Sequence, residues 1–290
     1  MNKHRQKIAW FFLSIPLILY VIWVIGPTLY TFFLSLTRYD GLGAPRFRGI
    51  KNYIMLFDDP VFIVSLVNNI KWLVIFMVIP VVLGLILALI LNNQIRWSNG
   101  FKASIYMPMI LSPVVIGLIW SWIYDPSGGL LNYTLTALGL KHLTRGWLSD
   151  PGLVLYCIIA AAVWRHVGYV MILFLAGLKT IPVSVLEAAQ VDGADGWKRF
   201  WHIILPLLKP STVIVFVVTI IQSFRAFDMV NTMTEGGPFN SSNVLANFMY
   251  LEAFRNYRMG YGASIAVILF LIMFGFIIIY LKQVMKDEVN

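Results

Sequence analysis

Charge is what this sequence has least of. Only 12% of its 290 residues are Asp, Glu, Lys or Arg, whereas a soluble domain carries about twice that share. Hydrophobic residues make up 59% of the chain, and its mean hydropathy is +0.80. So few charges cannot cover a water-facing surface, which excludes a soluble globular protein and predicts an all-α integral membrane protein.

Cysteine and histidine are scarce as well. The one cysteine, Cys157, lies in an apolar run, which excludes an internal disulfide or a cysteine-based metal site. The four histidines show no metal-ligand spacing, so we expect no metal site. The sequence also lacks the Gly-x(4)-Gly-Lys-Ser/Thr pattern of a phosphate-binding loop. We therefore expect no cofactor, and we expect any ATP and Mg²⁺ to be bound by another polypeptide.

The formal net charge of +9 would suggest nucleic acid binding in a soluble protein. Here the Lys and Arg residues lie mostly in short loops between apolar runs. That placement favours a role in membrane topology and in contacts with lipid headgroups, and we expect no nucleic acid partner. The apolar run after the basic N-terminus has no small-residue cleavage site, so we interpret it as a retained first helix.

Six stretches of the chain are long and apolar enough to cross a bilayer, which requires about 20 residues. The predicted spans are Ile8–Thr37, Trp72–Ile95, Ala103–Tyr124, Leu153–Leu178, Ser211–Met229 and Met259–Leu281. The domain prediction follows these spans: an N-terminal helix and first loop over 1–71, a core of five spans over 72–282 with a polar loop at about 179–209, and a tail over 283–290. The resemblance described below implies that the first loop is external and the tail cytoplasmic.

The polar loop between the fourth and fifth spans reads as two short helices. Val185–Val191 contains good helix formers, and Asp192-Gly193 breaks the helix because Gly193 can adopt a left-handed conformation. A second helix is predicted over Ala194–Leu205, and Pro206 is expected to end it. Its apolar stripe consists of Trp197, Phe200, Trp201 and Ile204. Such a pair of helices would protrude from the bilayer and enter a groove of another protein.

The residues Glu187-Ala188-Ala189-Gln190-Val191-Asp192-Gly193-Ala194, followed by Leu205-Pro206, resemble the EAA motif of permeases from ATP-binding-cassette (ABC) importers. The resemblance implies a type I ABC importer permease fold with six transmembrane helices, in a bacterial cell membrane. It also implies that the loop and both termini are cytoplasmic. The residues that would form the elbow docking into the ATPase are Glu187, Ala188, Ala189, Asp192, Gly193 and Ala194.

Other segments look like those of sugar permeases in the maltose and glycerol-3-phosphate branch of the family. They are Gly49–Tyr53, Trp120–Pro126 and Thr234–Pro238. The resemblance implies a non-catalytic permease subunit of a sugar importer. The partners that it implies are a second homologous permease, two ATPase subunits and an extracytoplasmic solute-binding protein, all in or beside membrane lipid. It does not identify the sugar.

Polar side chains inside the fourth and fifth spans are costly in lipid and therefore face a cavity or a partner. We predict that a solute pathway runs along them, with aromatic rings that stack on a sugar and with Arg225 able to pair with Asp228. The candidate residues are Arg165, Tyr169, Gln222, Phe224, Arg225, Phe227 and Asp228. Two alternatives stay open: Arg165 could only tie helices together, and the companion permease could make all the contacts with the solute.

Two other classes of membrane protein compete with this interpretation. A secondary transporter would show an internal repeat and a carboxylate at the membrane midplane, but we find no repeat and Asp228 is the only acidic residue within a predicted span. A membrane enzyme would need clustered His, Asp, Glu or Ser residues within one leaflet, and none stands out. Loss of ATP-coupled uptake on removal of the EAA-like loop would distinguish the importer from both.

Overall fold

The computed structural model describes residues 3–92 and 96–289, and most of these residues are helical. The helices in chain order are α1 Lys3–Tyr20, α2 Gly26–Ser35, α3 Lys51–Phe57, α4 Pro60–Asn92, α5 Ser98–Ile110, α6 Pro113–Ile123, α7 Leu130–Ala137, α8 Val154–Thr180, α9 Val183–Val191, α10 Gly196–Arg199, α11 Leu205–Leu207, α12 Lys209–Phe224, α13 Phe227–Thr234, α14 Leu245–Tyr250 and α15 Met259–Val289. Shorter elements are π-helical turns at Val21–Ile25, Phe200–Ile204 and Leu251–Arg255, a 3-10 turn at Lys141–Leu143, and antiparallel strands β1 Thr37–Arg38 and β2 Arg46–Phe47.

The predicted fold class is confirmed. Within the described residues, five helical stretches are long and apolar enough to cross a membrane, and a bent pair of helices makes a sixth if it is counted as one span. The five are Phe12–Ser35, Pro60–Asn92, Val154–Thr180, Lys209–Thr234 and Met259–Tyr280.

The third span differs from its prediction, because Ala103–Tyr124 is not one straight helix. It consists of α5 and α6, whose axes are bent by 100° at the break. Pro113 has no N–H to donate and begins α6, which is a favoured position for proline. The hydroxyl of Ser112 caps the new helix by accepting from the backbone N–H of Val115 at 3.3 Å. The Ser-Pro pair is therefore the local cause of the bend.

Two further boundaries differ from the hydropathy prediction. The second spanning helix begins at Pro60 rather than near Trp72, so that polar residues just before the apolar run belong to the helix. The predicted end of that span, at Ile95, lies outside the described residues. The predicted fifth span, Ser211–Met229, is interrupted, since α12 ends at Phe224 and α13 begins at Phe227.

The chain divides into two compact units. The first contains the residues up to Phe62 together with Phe248–Leu271, and the second contains Ile63–Asn247 and the residues from Ile272 onward. The predicted division at 71 and 282 stays a prediction.

In the first unit, the buried side chain of Asn52 is a hub for the backbone. Its amide nitrogen lies within hydrogen-bond distance of the carbonyl oxygens of Ser35, Thr37 and Gly260, at 2.8, 2.8 and 3.3 Å. These oxygens belong to the end of α2, the first strand and the start of α15. One amide therefore fixes three chain segments relative to α3, which carries Asn52.

In the second unit, α8 is the central helix. Of the most apolar 18-residue stretch of α8, 67% is buried, and two apolar clusters lie along the helix. One cluster contains Trp72, Phe76 and Ile158, and the other contains Met171 and Phe174. Helices that pack on α8 include α5, α6, α12 and α13.

Two glycines let neighbouring helices approach α8 closely. A Cβ atom on Gly168 would overlap the carbonyl oxygen of Ile105 in α5, and one on Gly177 would overlap the hydroxyl of Ser211 in α12. Small residues at such contacts are typical of helix packing in membranes, where van der Waals contact replaces the hydrophobic effect.

We predict that Gly168→Ala lowers the free energy of unfolding by about 1–3 kcal/mol, because the added methyl group must push α5 away from α8. The measurement is thermal unfolding of the purified protein in detergent. The matched control is Gly275→Ala in α15, where a Cβ would meet nothing within 4 Å. Equal stability of the two variants would contradict this account of the packing.

Candidate functional site

The EAA-like segment forms an elbow whose shape is fixed by its own backbone. The elbow consists of α9, the turn at 192–195 and α10. The N–H of Ala194 donates to the carbonyl of Ala189 at 2.9 Å, and the N–H of Gly193 donates to that of Gln190 at 3.2 Å. Gly193 has a φ of +75°. These two bonds and the left-handed glycine make a Schellman motif, which satisfies the carbonyl groups at the end of α9.

The second half of the elbow begins at Asp195. Its carboxylate accepts from the backbone N–H of Lys198 at 2.8 Å and so caps α10. The prediction that Pro206 ends the second helical segment is wrong. The segment continues to Leu207 and breaks at Leu208. Pro206 directly follows the π-helical turn Phe200–Ile204, and such a local departure from α-helical hydrogen bonding is one of the ways in which a helix tolerates a proline.

The predicted apolar stripe is present as an aromatic cluster. The ring centroids of Trp197 and Trp201 lie 5.7 Å apart, and those of Phe200 and Trp201 lie 5.2 Å apart. Trp197 is 72% exposed even so. A large aromatic side chain that is this exposed next to a rigid turn is typical of a surface that another protein covers.

The six predicted elbow residues differ in exposure. Glu187, Ala188, Asp192 and Gly193 are exposed, Ala194 is half-buried and Ala189 is buried. Leu186 on the inner side of α9 packs against the apolar cluster that contains Leu178 and Leu208. The elbow therefore presents one face outward, and its inner face is anchored to the ends of α8 and α12.

Within the spans, Arg165 lies beside the break of the third span. Its guanidinium group donates to the carbonyl oxygens of Leu111 at 3.3 Å and Met109 at 3.4 Å. These carbonyl groups belong to the end of α5 and to the bend, where the helix can no longer supply an N–H. The side chain therefore ties α8 to the bend, which is the alternative that the sequence left open for this residue.

Four polar residues meet at the interruption of the fifth span. Arg165 and His166 of α8, Gln222 of α12 and Arg225 of the break line one cavity of about 40 Å³. This volume is enough for about one water molecule and is too small for a sugar. His166 is buried, its Nε2 lies 3.1 Å from the hydroxyl of Thr219, and its ring stacks on Phe76.

The other candidate residues of the solute pathway surround this group less closely. Tyr169 is half-buried, with its ring centroid 5.8 Å from that of His166. Phe224 is buried, and its ring lies against Phe276 at 6.0 Å. Phe227 and Asp228 are half-buried at the start of α13.

The predicted pair of Arg225 with Asp228 is not formed. No ion pair within 4.0 Å joins these two residues of the described chain. The prediction assumed a continuous helix, on which residues three apart share a face. The interruption between α12 and α13 removes that spacing, because Arg225 ends one helix and Asp228 lies in the first turn of the next.

Sequence reasoning missed a network of buried asparagines after α13. Asn247 donates to the side-chain oxygen of Asn243 at 2.8 Å and to the carbonyl of Glu235 at 3.2 Å. Asn68 of α4 donates to the carbonyl oxygens of Ser241 and Asn243. The signal was the pair of asparagines four residues apart, which the prediction treated as part of a polar loop.

A model of the family described as binding-protein-dependent transport system inner membrane component matches residues 80–287. A probable ABC transporter permease protein of Pyrococcus horikoshii is 39% identical over 278 residues, which are 96% of this chain and 95% of that protein. The xylose/arabinose import permease protein of Haloferax volcanii is 36% identical over 277 residues, which are 94% of this chain and 87% of that protein.

A solved structure of a bacterial alginate ABC transporter, in complex with an alginate pentasaccharide-bound periplasmic protein, has a similar fold. The TM-score is 0.84 with 19% sequence identity, and the match covers 96% of this chain and 93% of that chain. At this identity the likeness concerns the fold alone.

We predict that Arg165→Gln lowers the free energy of unfolding by about 1–3 kcal/mol, because the carbonyl groups at the bend lose a charged donor inside the membrane. Thermal unfolding in detergent measures the change. The control is Arg145→Gln, which removes the same charge from an exposed loop residue. If both variants unfold at the same temperature, Arg165 does not hold the bend.

Proposed function

The chain belongs to the family of binding-protein-dependent transport system inner membrane components, and on that premise we propose that it carries a sugar across the membrane under the control of a partner ATPase. It is a multi-pass inner-membrane protein and the permease subunit of an ABC importer. The observation that carries the proposal is the Schellman-capped elbow, which lies between two membrane spans and exposes Glu187 and Asp192.

The name of a similar protein supports a carbohydrate as the solute. The relative from Haloferax volcanii, which is 36% identical to this chain, is a xylose/arabinose import permease. We propose that this chain acts with a second homologous permease and receives its solute from an extracytoplasmic binding protein. The second permease completes the solute pathway, since the cavity of about 40 Å³ cannot hold a sugar by itself.

We propose that the elbow is cytoplasmic and docks into a groove of the ATPase subunit. Both termini are then cytoplasmic as well, and two ATPase subunits serve the two permeases. The exposed face of α9, which carries Glu187 and the 87% exposed Val191, contacts the ATPase together with Trp197. The chain makes no covalent bond in this scheme, because ATP and Mg²⁺ are bound by the partner.

A movement of the docked elbow acts on two spans at once. Leu186 and Ile204, from the two halves of the elbow, pack on the cluster that contains Leu178 of α8 and Leu208 beside α12. Arg165 and His166 then connect α8 to the bend in the third span and to Thr219 of α12. We propose that ATP-driven closure of the ATPase shifts these helices together and opens the pathway to the other side.

In this proposal the pathway runs along α8 and the interrupted fifth span. Arg225 is exposed and Gln222 is half-buried beside the small cavity, so both are placed to meet a solute between the two permeases. Tyr169, Phe227 and Asp228 border the same region, and Arg165 acts mainly as a tie. Phe224 packs inside the chain instead.

We predict that Gly193→Val reduces the amount of ATPase that co-purifies with the permeases by about 5-fold or more. A β-branched residue at a φ of +75° costs about 1–2 kcal/mol, and this strain depopulates the docking shape of the elbow. The measurement is the ratio of ATPase to permease after purification of the co-expressed subunits in detergent.

The matched control is Gly196→Val, three residues further along the same elbow. A Cβ meets nothing within 4 Å at either glycine, but only Gly193 has a positive φ. We expect the control to retain the ATPase. If Gly193→Val retains it equally and still supports ATP-driven uptake, the elbow is not the coupling element.

A further inference from the structure

The first unit contains a polar cavity that the transport scheme above does not use. It has a volume of about 460 Å³ and is formed by the loop after α2, by α3 and by the residues around the start of α15. Its volume lies in the range of sites for small molecules, which is about 300–1,000 Å³. A single acidic side chain of a partner protein would leave most of this space empty.

The cavity lining is rich in positive charge. Among the described residues that line it are three arginines, Arg38, Arg48 and Arg258, and one carboxylate, that of Asp40. Arg258 is neutralised by the buried Glu252, with 2.9 Å between Nη1 and Oε2. The guanidinium groups of Arg38 and Arg48 have no hydrogen bond or ion pair with any described residue, so their donors are available to a ligand.

The strand pair next to the cavity has an arrangement that an anion would relieve. Arg38 of β1 lies directly opposite Arg46 of β2 in the antiparallel ladder. Like charges directly opposite each other on one face of a ladder destabilise it. A bound anion between these strands would offset the repulsion and accept hydrogen bonds from the guanidinium forks.

The walls of the cavity are held in place before any ligand binds. Asn52 fixes the strand and the start of α15 as described above, and the hydroxyl of Tyr261 donates to Asp59 at 2.7 Å. The guanidinium carbon of Arg258 lies 4.1 Å from the ring centroid of Tyr261, a cation–π contact. Tyr257 has a φ of +51°, a costly conformation for a tyrosine that the surrounding structure maintains.

From these observations we propose that the cavity binds a small polyhydroxylated anion, such as a sugar or polyol with a carboxylate or phosphate group. The guanidinium groups of Arg38 and Arg48 bind the anionic group, while Tyr39, Tyr257 and Asp40 provide ring surface and acceptors for hydroxyl groups. With the N-terminus cytoplasmic, the cavity lies on the outer side of the membrane. That placement rests on the proposed function, whereas the binding itself does not.

The test is equilibrium binding to the purified full-length chain in lipid nanodiscs, measured by isothermal titration calorimetry. The probes are glucuronate and glucose 6-phosphate, and glucose is the uncharged counterpart. We expect at least one of the two anions to bind, glucose to bind at least about ten-fold more weakly, and the affinity to fall with added salt. Binding of neither anion, or equal binding of glucose, overturns the proposal.

The variants Arg38→Gln and Arg48→Gln test the site itself. Each should weaken anion binding by about ten-fold or more, since each removes a charged donor. The matched control is Lys51→Gln, which removes one positive charge from an exposed residue of α3 outside the cavity lining. Thermal unfolding of each variant verifies its folding. Anion binding that persists in both arginine variants would place the site elsewhere and overturn the assignment.

The outcomes separate this inference from the proposed function. A permease that retains its ATPase but binds neither anion would overturn the outer site and leave the importer scheme intact. A permease that binds the anion, and whose Gly193→Val variant keeps both the ATPase and ATP-driven uptake, would do the reverse.

Discussion

The lack of water in the bilayer core is the constraint on which the rest of this structure depends. A backbone polar group that is unpaired in hydrocarbon costs several kcal/mol, so a membrane chain can interrupt a helix only where other groups satisfy the freed donors and acceptors. The interrupted third span meets this condition through the Ser112 cap at the start of α6 and the guanidinium group of Arg165 at the end of α5. The fifth span is interrupted beside the same part of α8, around a cavity lined by Arg165 and Arg225. Charged side chains within the spans therefore occur beside helix breaks. The charged donor satisfies carbonyl groups that the break leaves unpaired, and these carbonyl groups offset the cost of burying the charge.

The same constraint explains what the sequence predicted and what it did not. Spanning helices must be long and apolar, so hydropathy found all six and the fold class. Hydropathy does not respond to a single broken turn, so the bend at Ser112-Pro113 was missed even though the dipeptide is a recognisable helix start. The interruption at Arg225 could not be predicted from the usual helix breakers, because the sequence has no proline or glycine there. The prediction of an Arg225–Asp228 pair was wrong for this reason, since it assumed a continuous helix across the break between α12 and α13.

The elbow was the part of the site that sequence predicted best, because its geometry is local. The left-handed glycine at position 193 follows from neighbouring residues alone. The start of the second helix was predicted less well, since it was placed at Ala194 and the cap that Asp195 gives to α10 was missed. The asparagine network around Asn243 and Asn247 was missed because its partners lie far apart in sequence, such as Asn68. A buried amide and a loop amide look alike in a sequence. Only tertiary structure tells whether the cost of burying an amide is offset by hydrogen bonds.

The elbow keeps its shape through main-chain hydrogen bonds, one glycine and the capping carboxylate of Asp195, not through the other side chains that it exposes. Shape and surface identity are therefore separable along this segment. Exposed residues such as Val191 and Trp197 can change without loss of the elbow's shape, provided that the turn at Gly193 remains. In the proposed scheme, a lineage could in this way exchange one partner ATPase for another by altering a few contact residues, while the membrane helices behind the elbow stay unchanged.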